Sequence, residues 1–569
     1  MVTHSARQAQ VTASPASTIA ASVASTRISL ATLPPVDLLA DKSLVRDLCD
    51  AFFNEVAPLR CFGFLHRHTF LQEVDASASH PSEDPLLLSV CALATKTIEM
   101  RKRGLWDIGC RWACDAQAAV FMGIQDITIR RCMCLVLLYE HASRAGEPRL
   151  CFLLSGMASR LTQALSLNLE YDHDVLEVSR MSAADRESRR RLMWACYLMD
   201  TMLACGLRDL QVLETSSLRI QLPCDDRHFR YKVACRTAVV DTKFMKKKDT
   251  VRSTSIDTQN QGLDAFLVRL YLVRDHVLQY INSDTDEDDP WRLVALIADL
   301  DAWKEALTPE LQFNSDVIAV RKEESKLAAL VSLHVMYHQV NCLLYRCTIP
   351  SMLFPARMHT GLSVKASPDF LAESRKGWFG HACAMSAIFE VSLQHQPLSM
   401  TDQAVAPSAY NAIIIKWLYL TNFVPLDEKQ AQLEVILPLV DIDLQFLQAM
   451  ASYHPASVGM IVALAERLVD EAKRRISRNP AVRLSETGIP TADHNHLSPD
   501  YRMNQLSTFA RMRKTIPDVH APDSRGGGSV STPINSPGSL MSPGTGSATS
   551  PQSIDPWAGD TERLWMWSE

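Results

Sequence analysis

The chain has 569 residues, a formal net charge of -6 and a hydrophobic fraction of 47%. It is longer than one ordinary domain, and its apolar fraction is sufficient for a large buried core. The slightly acidic balance excludes a general electrostatic attraction to nucleic acid or acidic membranes, so any contact with DNA requires a local basic patch or a partner.

Cysteine usage and the N-terminal composition predict a soluble intracellular protein. The fifteen cysteines show no disulfide framework, and several lie in apolar runs such as residues 87–93. Such thiols pack as small hydrophobic groups in reducing compartments. The chain shows neither the charged and apolar segments of a signal peptide nor a run of about 18 apolar residues, which predicts no secretion and no membrane span.

The first elements in chain order are a disordered arm and then helices. Residues 1–35 are rich in Ser, Thr and Ala and contain too few large apolar side chains to order themselves. Every fourth residue from Leu44 to Val56 is apolar, which is the period of one helical stripe. Asp84 followed by Pro85 predicts a helix cap with proline in the first helical position.

Helical periodicity then continues through most of the chain. Ser182 and Asp185 have the spacing of a capping box, whereas residues 224–258 are polar and weakly periodic and predict a long surface loop. Strand-like alternation is rare, so we expect an all-α fold, a large helical array with a disordered N-terminal arm and a disordered C-terminal tail. Helices are predicted over 106–122, 127–143, 149–167, 182–204, 260–281, 290–307, 322–347, 372–396, 405–422, 428–452 and 457–477.

The composition divides the chain into three predicted segments: a disordered arm over 1–35, a helical domain over 36–478, and a disordered tail over 479–569. Within the tail, residues 521–554 are dominated by Ser, Pro, Gly and Thr. The last residues, 555–569, combine acidic groups with three tryptophans, a composition that suits binding in a coactivator groove. A dispensable terminus is the plain alternative.

No spacing in the sequence predicts a metal site. A zinc cluster needs repeated C-x-x-C pairs, and the chain contains none. We therefore expect no catalytic, cofactor-binding or metal-binding residues. Three close cysteine pairs are explained by core packing and one histidine pair by a polar corner between helices: Cys110 and Cys114, Cys132 and Cys134, Cys342 and Cys347, and His66 and His68.

The acidic run over 284–289 favours one alternative, an all-α metal-dependent enzyme. Carboxylates at this spacing resemble the aspartate-rich motif that holds magnesium against a diphosphate in terpene synthases. However, Asp289 and Pro290 suit the start of the next helix, where acids interact favourably with the dipole, and no second metal motif follows. The residues therefore favour a protein that is not an enzyme.

Four basic triplets are candidates for contact with phosphates or an import receptor, although solvated helix ends explain most runs of this length. The triplet in the predicted loop is the most accessible candidate for nuclear import. The triplets are Arg101–Arg103, Arg189–Arg191, Lys246–Lys248 and Lys473–Arg475.

Several segments, taken in their order and spacing, resemble the regulatory domain of fungal zinc-cluster transcription factors, also called the middle homology region. The resemblance covers about residues 40–450. Ser166 stands where the family has glycine, and Gly206–Arg208 stands where it has Gly-Arg-Pro. The segments are 52–58, 64–70, 153–161 with 165–167, 187–194 with Tyr197 and Asp200, Leu222-Pro223, 337–339 and 344–346.

The resemblance implies a nuclear regulator of RNA polymerase II transcription, with a biosynthetic gene cluster as one target class. It implies contact with DNA, directly or through a zinc-cluster partner, together with coactivators and a homo- or heterodimer. This sequence contains no zinc finger, so zinc is expected only if an upstream zinc-cluster segment belongs to the protein. The polar run of Glu187 and Arg189–Arg191 suits ion pairing on a core helix, which indicates a structural signature. A helical scaffold without a role at promoters is the remaining alternative.

Overall fold

A computed structural model describes residues 37–170, 181–206, 210–239, 258–281, 290–349 and 367–483. Over these ranges the backbone forms helices and three isolated β-bridges, with no longer strand, which confirms the all-α prediction. The α-helices in chain order are α1 Lys42–Glu55, α2 Arg67–Ala76, α3 Pro85–Ala94, α4 Ile98–Arg101, α5 Trp106–Met122, α6 Ile129–Ala145, α7 Pro148–Ala164, α8 Ala183–Ala204, α9 Asp226–Arg230, α10 Leu263–Ile281, α11 Pro290–Glu305, α12 Ser315–Glu323, α13 Leu327–Tyr345, α14 Pro368–Gln394, α15 Ala406–Asn422, α16 Lys429–Tyr453 and α17 Pro455–Arg478.

Several sequence predictions fall on residues outside the described ranges. They are the disordered arm over 1–35, the basic triplet Lys246–Lys248, the acidic run over 284–289, and the tail beyond residue 483. The division of the chain into three segments therefore stays a prediction.

Local side-chain chemistry begins and ends several helices where the sequence predicts. Asp84 caps α3 by accepting a hydrogen bond from the Leu86 amide at 3.0 Å, with proline in the first turn. At the start of α8, the Asp185 amide donates to Ser182 Oγ at 3.1 Å and Asp185 Oδ2 accepts from the Ser182 amide at 3.2 Å, which completes the predicted capping box. Gly146 ends α6 in the left-handed conformation at φ 74°.

One hydrophobic core runs through the array from Leu39 to Ala472. The predicted stripe of α1 points into it, since Leu48, Phe52 and Val56 are fully buried. Helix α3 packs between α1, α5 and α6, and α13 packs against α10 and α14. Helices α14 to α17 pack on one another, and α17 also contacts α6. The N-terminal and C-terminal helices therefore share one interior.

Within the described part of the predicted surface loop over 224–258, the prediction is confirmed for residues 231–234, which are exposed and not helical, and is wrong for the residues before them. Residues 226–230 form the short helix α9, and Cys224 and Thr237 are buried. Gln221 and Val239 form an antiparallel bridge. The segment folds onto α8 through polar and ionic contacts, which hydrophobic periodicity does not reveal.

Two helical stretches have the length and composition of a membrane span. Residues Leu327–Thr348 form the first, and 89% of its apolar window is buried inside the protein. Residues Lys429–Tyr453 form the second, with 33% of its window buried, and it packs on α14, α15 and α17. Core helices of soluble proteins pass the same test of length and hydropathy.

Candidate regulatory site

Helix α8 carries the residues that most resemble the family signature, and it places them in the interior. Glu187 and Arg191 are 2% and 3% exposed, and Trp194 and Tyr197 are fully buried. Every residue from Arg190 to Thr201 is buried, so α8 is surrounded by protein on all sides over these turns. The surrounding segments are α7, α10 and the stretch from residue 212 to 239.

Arg191 is the centre of a buried ionic network. Its Nε donates to Glu187 Oε1 at 3.0 Å, and its Nη1 lies 3.0 Å from Asp226 Oδ1 and 3.5 Å from Asp264 Oδ2. Its Nη2 donates to the Cys224 carbonyl at 2.9 Å. Burial disfavours the charged guanidinium, but the three carboxylates outweigh that cost and raise the pKa of Arg191 far above its ordinary value.

The carboxylates around Arg191 come from three separate elements: α8, α9 and the start of α10. Asp226 also accepts from Lys326 Nζ at 2.5 Å, and its two cations hold the pKa of Asp226 below its ordinary value against the effect of burial. Burial raises the pKa of Asp264 to about 6, with Arg191 opposing the shift. The Phe229 ring lies 4.5 Å from the Arg191 guanidinium and covers it from the outside.

Arg190 forms a second, adjacent set of ion pairs. Its Nη2 lies 2.5 Å from Glu170 Oε1, and its Nη1 lies 3.3 Å from Glu187 Oε2. Glu170 Oε2 in turn accepts from the Gln221 amide at 3.1 Å. Arg190 therefore fixes the segment that follows α7 and the segment before α9 against the same helix.

The rest of the signature orders the segment between α8 and α9. Trp194 Nε1 donates to the Gln221 carbonyl at 2.9 Å, and Tyr197 Oη lies 2.8 Å from Thr215 Oγ1. Asp200 Oδ2 accepts from the Val212 and Leu213 amides at 2.9 and 2.7 Å. Burial raises the pKa of Asp200 to about 6, although these two amides oppose the shift. Trp194, Tyr197 and Asp200 of the signature therefore serve to pack this segment against α8.

A cavity of about 340 Å³ opens beside this network, between the start of α8 and residues 221–236. Arg186, Arg190 and Arg236 line it together with His228, so the lining is mainly basic. Glu187 is the one acid among the lining residues, and Arg190 and Arg191 neutralise it. Apolar walls are supplied by Ala183, Phe229, Val233 and Ala234, and two thiols by Cys224 and Cys235.

A second buried ionic cluster joins the two ends of the fold. Arg60 Nη2 lies 3.0 Å from Glu140 Oε1 and 3.3 Å from Asp402 Oδ1, and Arg144 Nε donates to Glu140 Oε1 at 2.8 Å. All four side chains are at most 6% exposed. The cluster connects the turn after α1, helix α6 and the residues just before α15.

Among the described residues, no group of three or more His, Cys, Asp or Glu side chains is placed to hold a metal. His66 sits at the predicted polar corner: it caps α2 through the Thr69 amide at 3.3 Å, and its Nε2 lies 3.1 Å from the Arg230 carbonyl. His68 is exposed. The absence of catalytic, cofactor-binding and metal-binding residues stays a prediction from the sequence.

The cysteine pairs have different environments. All fifteen cysteines are free and eleven are buried. Core packing is confirmed for Cys132, Cys134, Cys342 and Cys347, but it is wrong for Cys114, which is exposed on α5. Its neighbour one turn earlier, Cys110, is half-buried. The reason is geometric, because α5 turns only one face to α3 and α6.

The basic triplets inside the described ranges are largely engaged within the protein. Arg190 and Arg191 are buried in ion pairs and cannot reach a phosphate backbone. Arg101 donates to the Tyr453 carbonyl at 2.5 Å, which links α4 to the end of α16. Other members of these triplets form surface ion pairs: Arg103 with Asp47, Lys473 with Asp441, and Arg474 with Glu471.

Comparison with known proteins identifies the class of domain. Residues 49–313 match the fungal specific transcription factor domain family. Residues 49–313, just under half of the chain, are therefore similar to this family, which is a family of transcription factor domains and not an enzyme family. The resemblance drawn from the sequence is confirmed. No solved structure shows a significant match to the chain.

The curated relatives are transcriptional regulators. An uncharacterized transcriptional regulatory protein of Schizosaccharomyces pombe is 25% identical over 335 residues, which is 56% of this chain and 33% of that protein. The Zn(2)-C6 fungal-type transcription factor FTF1c of Fusarium oxysporum f. sp. lycopersici is 24% identical over 63% of this chain and 39% of its own length. A further uncharacterized regulatory protein of S. pombe is 24% identical over 72% and 62%. The chain thus spans less than two thirds of these relatives.

Proposed function

We propose that this protein regulates transcription of RNA polymerase II genes in the nucleus, with its helical array as the regulatory part. The observation that carries the proposal is the family match over residues 49–313. Relatives described as transcriptional regulatory proteins support it. The buried state of Glu187, Arg190 and Arg191 is consistent with it, since the signature residues serve packing and are not arranged around a reactive centre.

In this proposal the protein contacts DNA either directly or through a partner protein that carries a zinc cluster. The described surface supports partner-mediated contact, because two of the three arginines in the 189–191 triplet are buried and Arg103 and Lys473 pair with acids. Salt-sensitive binding to DNA requires cations that are free to replace counterions. A homo- or heterodimer and coactivators are the other proposed partners, and genes of one biosynthetic cluster are a proposed target class.

Chromatin immunoprecipitation of the full chain, tagged at its own locus, tests the proposal. We expect enrichment at a defined set of promoters and altered transcript levels of the same genes when the protein is removed. A variant with Arg191→Met serves as a folding-dependent control, because it should lose both signals together with the folded protein. Absence of enrichment at any promoter would exclude a role on chromatin.

A reporter fusion tests the activating tail separately. Residues 480–569, joined to an unrelated DNA-binding domain, should activate a reporter, and replacement of Trp557, Trp565 and Trp567 by alanine should abolish activation. The full chain in the same fusion is the control for masking of the tail. Silence of both fusions would contradict the activator form of the proposal and favour a scaffold.

A further inference from the structure

A buried lysine contacts a cysteine at the junction of α3 and α5. Lys96 is 1% exposed, and its Nζ lies 3.0 Å from Cys110 Sγ and 3.1 Å from the Trp106 carbonyl. The same Nζ lies 3.5 Å from the centroid of the Trp106 ring, which is a close cation–π contact. The ammonium group is therefore enclosed by a ring, a carbonyl and a sulfur atom.

Close approach of the two helices produces this arrangement. A side chain at Gly109 would place its Cβ 1.8 Å from Thr95 Oγ1, so α5 reaches the end of α3 only because residue 109 is glycine. Thr95 directly precedes Lys96, and Gly109 directly precedes Cys110. The contact between the lysine and the cysteine is thus fixed by backbone packing on both sides.

The lysine has no carboxylate partner within ion-pair distance among the described residues, whereas the buried Arg60, Arg191 and Lys416 all do. Burial lowers the pKa of Lys96, and Cys110 opposes that shift. His141 is close enough to Lys96 for the two side chains to interact electrostatically. It is 4% exposed, and its ring nitrogens form no hydrogen bond to described groups. Because burial lowers the pKa of His141 to about 3, it is neutral and adds no anion. The Cys110 sulfur is the group in contact with Lys96 that can carry negative charge.

We propose that Cys110 is a reactive thiol, activated by the Lys96 ammonium and modified by hydroperoxides. A cation in contact stabilises a thiolate, and Cys110 is half-buried, so part of the residue is exposed to solvent. The thiolate attacks one peroxide oxygen. The O–O bond breaks, the new S–O bond forms a sulfenic acid, and sulfur gives up two electrons; hydroxide leaves from hydrogen peroxide, or alkoxide from an organic hydroperoxide, and is protonated by solvent.

Oxidation removes the anionic partner of a buried ammonium. Lys96 then keeps only the Trp106 carbonyl and ring, and the junction of α3 and α5 is weakened. Helix α3 is almost entirely buried, so a change at its end reaches α1 and α6 directly. This inference rests on the geometry of the junction and is independent of the proposed role in transcription.

Cys114 provides an internal control on the same helix. It lies one turn after Cys110, is more exposed, and has no cation in contact among the described groups. Burial and the nearby Glu147 raise the pKa of Cys114. If accessibility alone governed reactivity, Cys114 would react first. If the ammonium governs it, the less exposed Cys110 reacts first.

The experiment treats the full-length protein with limiting hydrogen peroxide and a dione probe for sulfenic acids, and measures labelling of each cysteine by peptide mass spectrometry. We expect Cys110 to be labelled several-fold faster than Cys114, because a cation in contact with a thiol promotes its reaction as a thiolate. The Lys96→Met variant should bring Cys110 down to the rate of Cys114, and Lys96→Arg should restore most of the difference.

Labelling in concentrated urea makes the test independent of whether Lys96→Met folds. In the unfolded chain the two thiols should react at similar rates, since the preference comes from the folded junction. Equal rates in the folded wild-type protein would overturn the proposal, as would an unchanged Cys110 rate in a folded Lys96→Met variant. Gly109→Ala should reduce the preference in parallel, because it separates the two helices.

Discussion

At the residue scale, Arg191 shows how buried charges define this fold. It is fully paired by Glu187, Asp226 and Asp264, and each carboxylate comes from a different helix. A buried ion pair of this kind contributes modestly in net terms, whereas removal of one partner leaves charges uncompensated. Because the three carboxylates come from three helices, the ion pairs favour the packing of α8, α9 and α10 in which all these charges are paired.

We predict that Arg191→Met destabilises the protein by about 3–5 kcal/mol, since the buried carboxylates of Glu187 and Asp264 lose a cation in contact with them. Urea unfolding followed by circular dichroism measures the change. Arg103→Met is the matched control, because Arg103 and Asp47 form an exposed pair and should contribute about 0–1 kcal/mol. Similar losses for the two variants would contradict a buried network.

Asp200 gives a prediction about pH. Burial raises the pKa of Asp200 from 3.8 to about 6, so between these values the folded state binds the proton more tightly than the unfolded state. The contribution of this carboxyl to stability is therefore present at low pH and is lost as pH rises through about 6. An asparagine at position 200 does not titrate, so the stability of the Asp200→Asn variant does not fall in this way.

We expect the stability of Asp200→Asn relative to wild type to increase by up to about 3 kcal/mol between about pH 4 and pH 7, the equivalent of about two pKa units. Urea titrations at a series of pH values measure this difference. Comparison with wild type cancels the other titrating groups. A difference that does not change with pH would show that Asp200 titrates alike in both states.

At the element scale, Gly146 illustrates how helix ends fix the packing of distant segments. It ends α6 at φ 74°, and an added Cβ would lie 2.6 Å from the Ala456 carbonyl oxygen at the start of α17. Gly104 also has a positive φ, 71°, but an added Cβ there would meet nothing within 4 Å. Both glycines have a positive φ, but only at Gly146 would an added Cβ collide with a neighbouring atom.

We therefore predict that Gly104→Ala costs about 1 kcal/mol of stability, from the left-handed backbone alone. Gly146→Ala should cost more, about 2–4 kcal/mol, because it also forces α6 and α17 apart. Thermal unfolding of both variants measures the difference. Equal shifts in Tm would mean that α17 adjusts freely to the added methyl group.

Most helices were predictable because their apolar residues repeat at helical period and their caps have clear chemistry. The start of α8 at Ser182 and Asp185, and the start of α3 at Asp84, are examples. Helix α9 was missed because it has only five residues and only Phe229 is buried. The ionic network was predictable only in part: Glu187 and Arg191 lie on one helix, but the positions of Asp226 and Asp264 depend on tertiary folding.

At the scale of the whole molecule, the core extends well beyond the part that matches the family. The match ends at residue 313, whereas the single core continues to Ala472 through α13 to α17. Helix α13 is almost entirely buried and packs on α10, which lies inside the match. The later helices are thus part of the same folded unit.

A chain of residues 37–313 should therefore not fold on its own, since the surface of α10 that receives α13 would be exposed. A chain of residues 37–483 should fold and melt cooperatively. Circular dichroism melts and limited proteolysis of the two chains measure the difference. A protease-resistant, cooperatively melting 37–313 fragment would show that the later helices form a separate unit.

The pairing of Arg60 with Asp402 has a consequence for biosynthesis. The two residues are 342 positions apart (402 minus 60), and both are buried in the finished protein. At a synthesis rate of about 5–20 residues per second, Arg60 is translated roughly 20–70 s before its second carboxylate. During that interval the growing polypeptide holds a half-assembled ionic centre and uncovered apolar helices. The core that encloses Arg60 can therefore close only after most of the chain has been made.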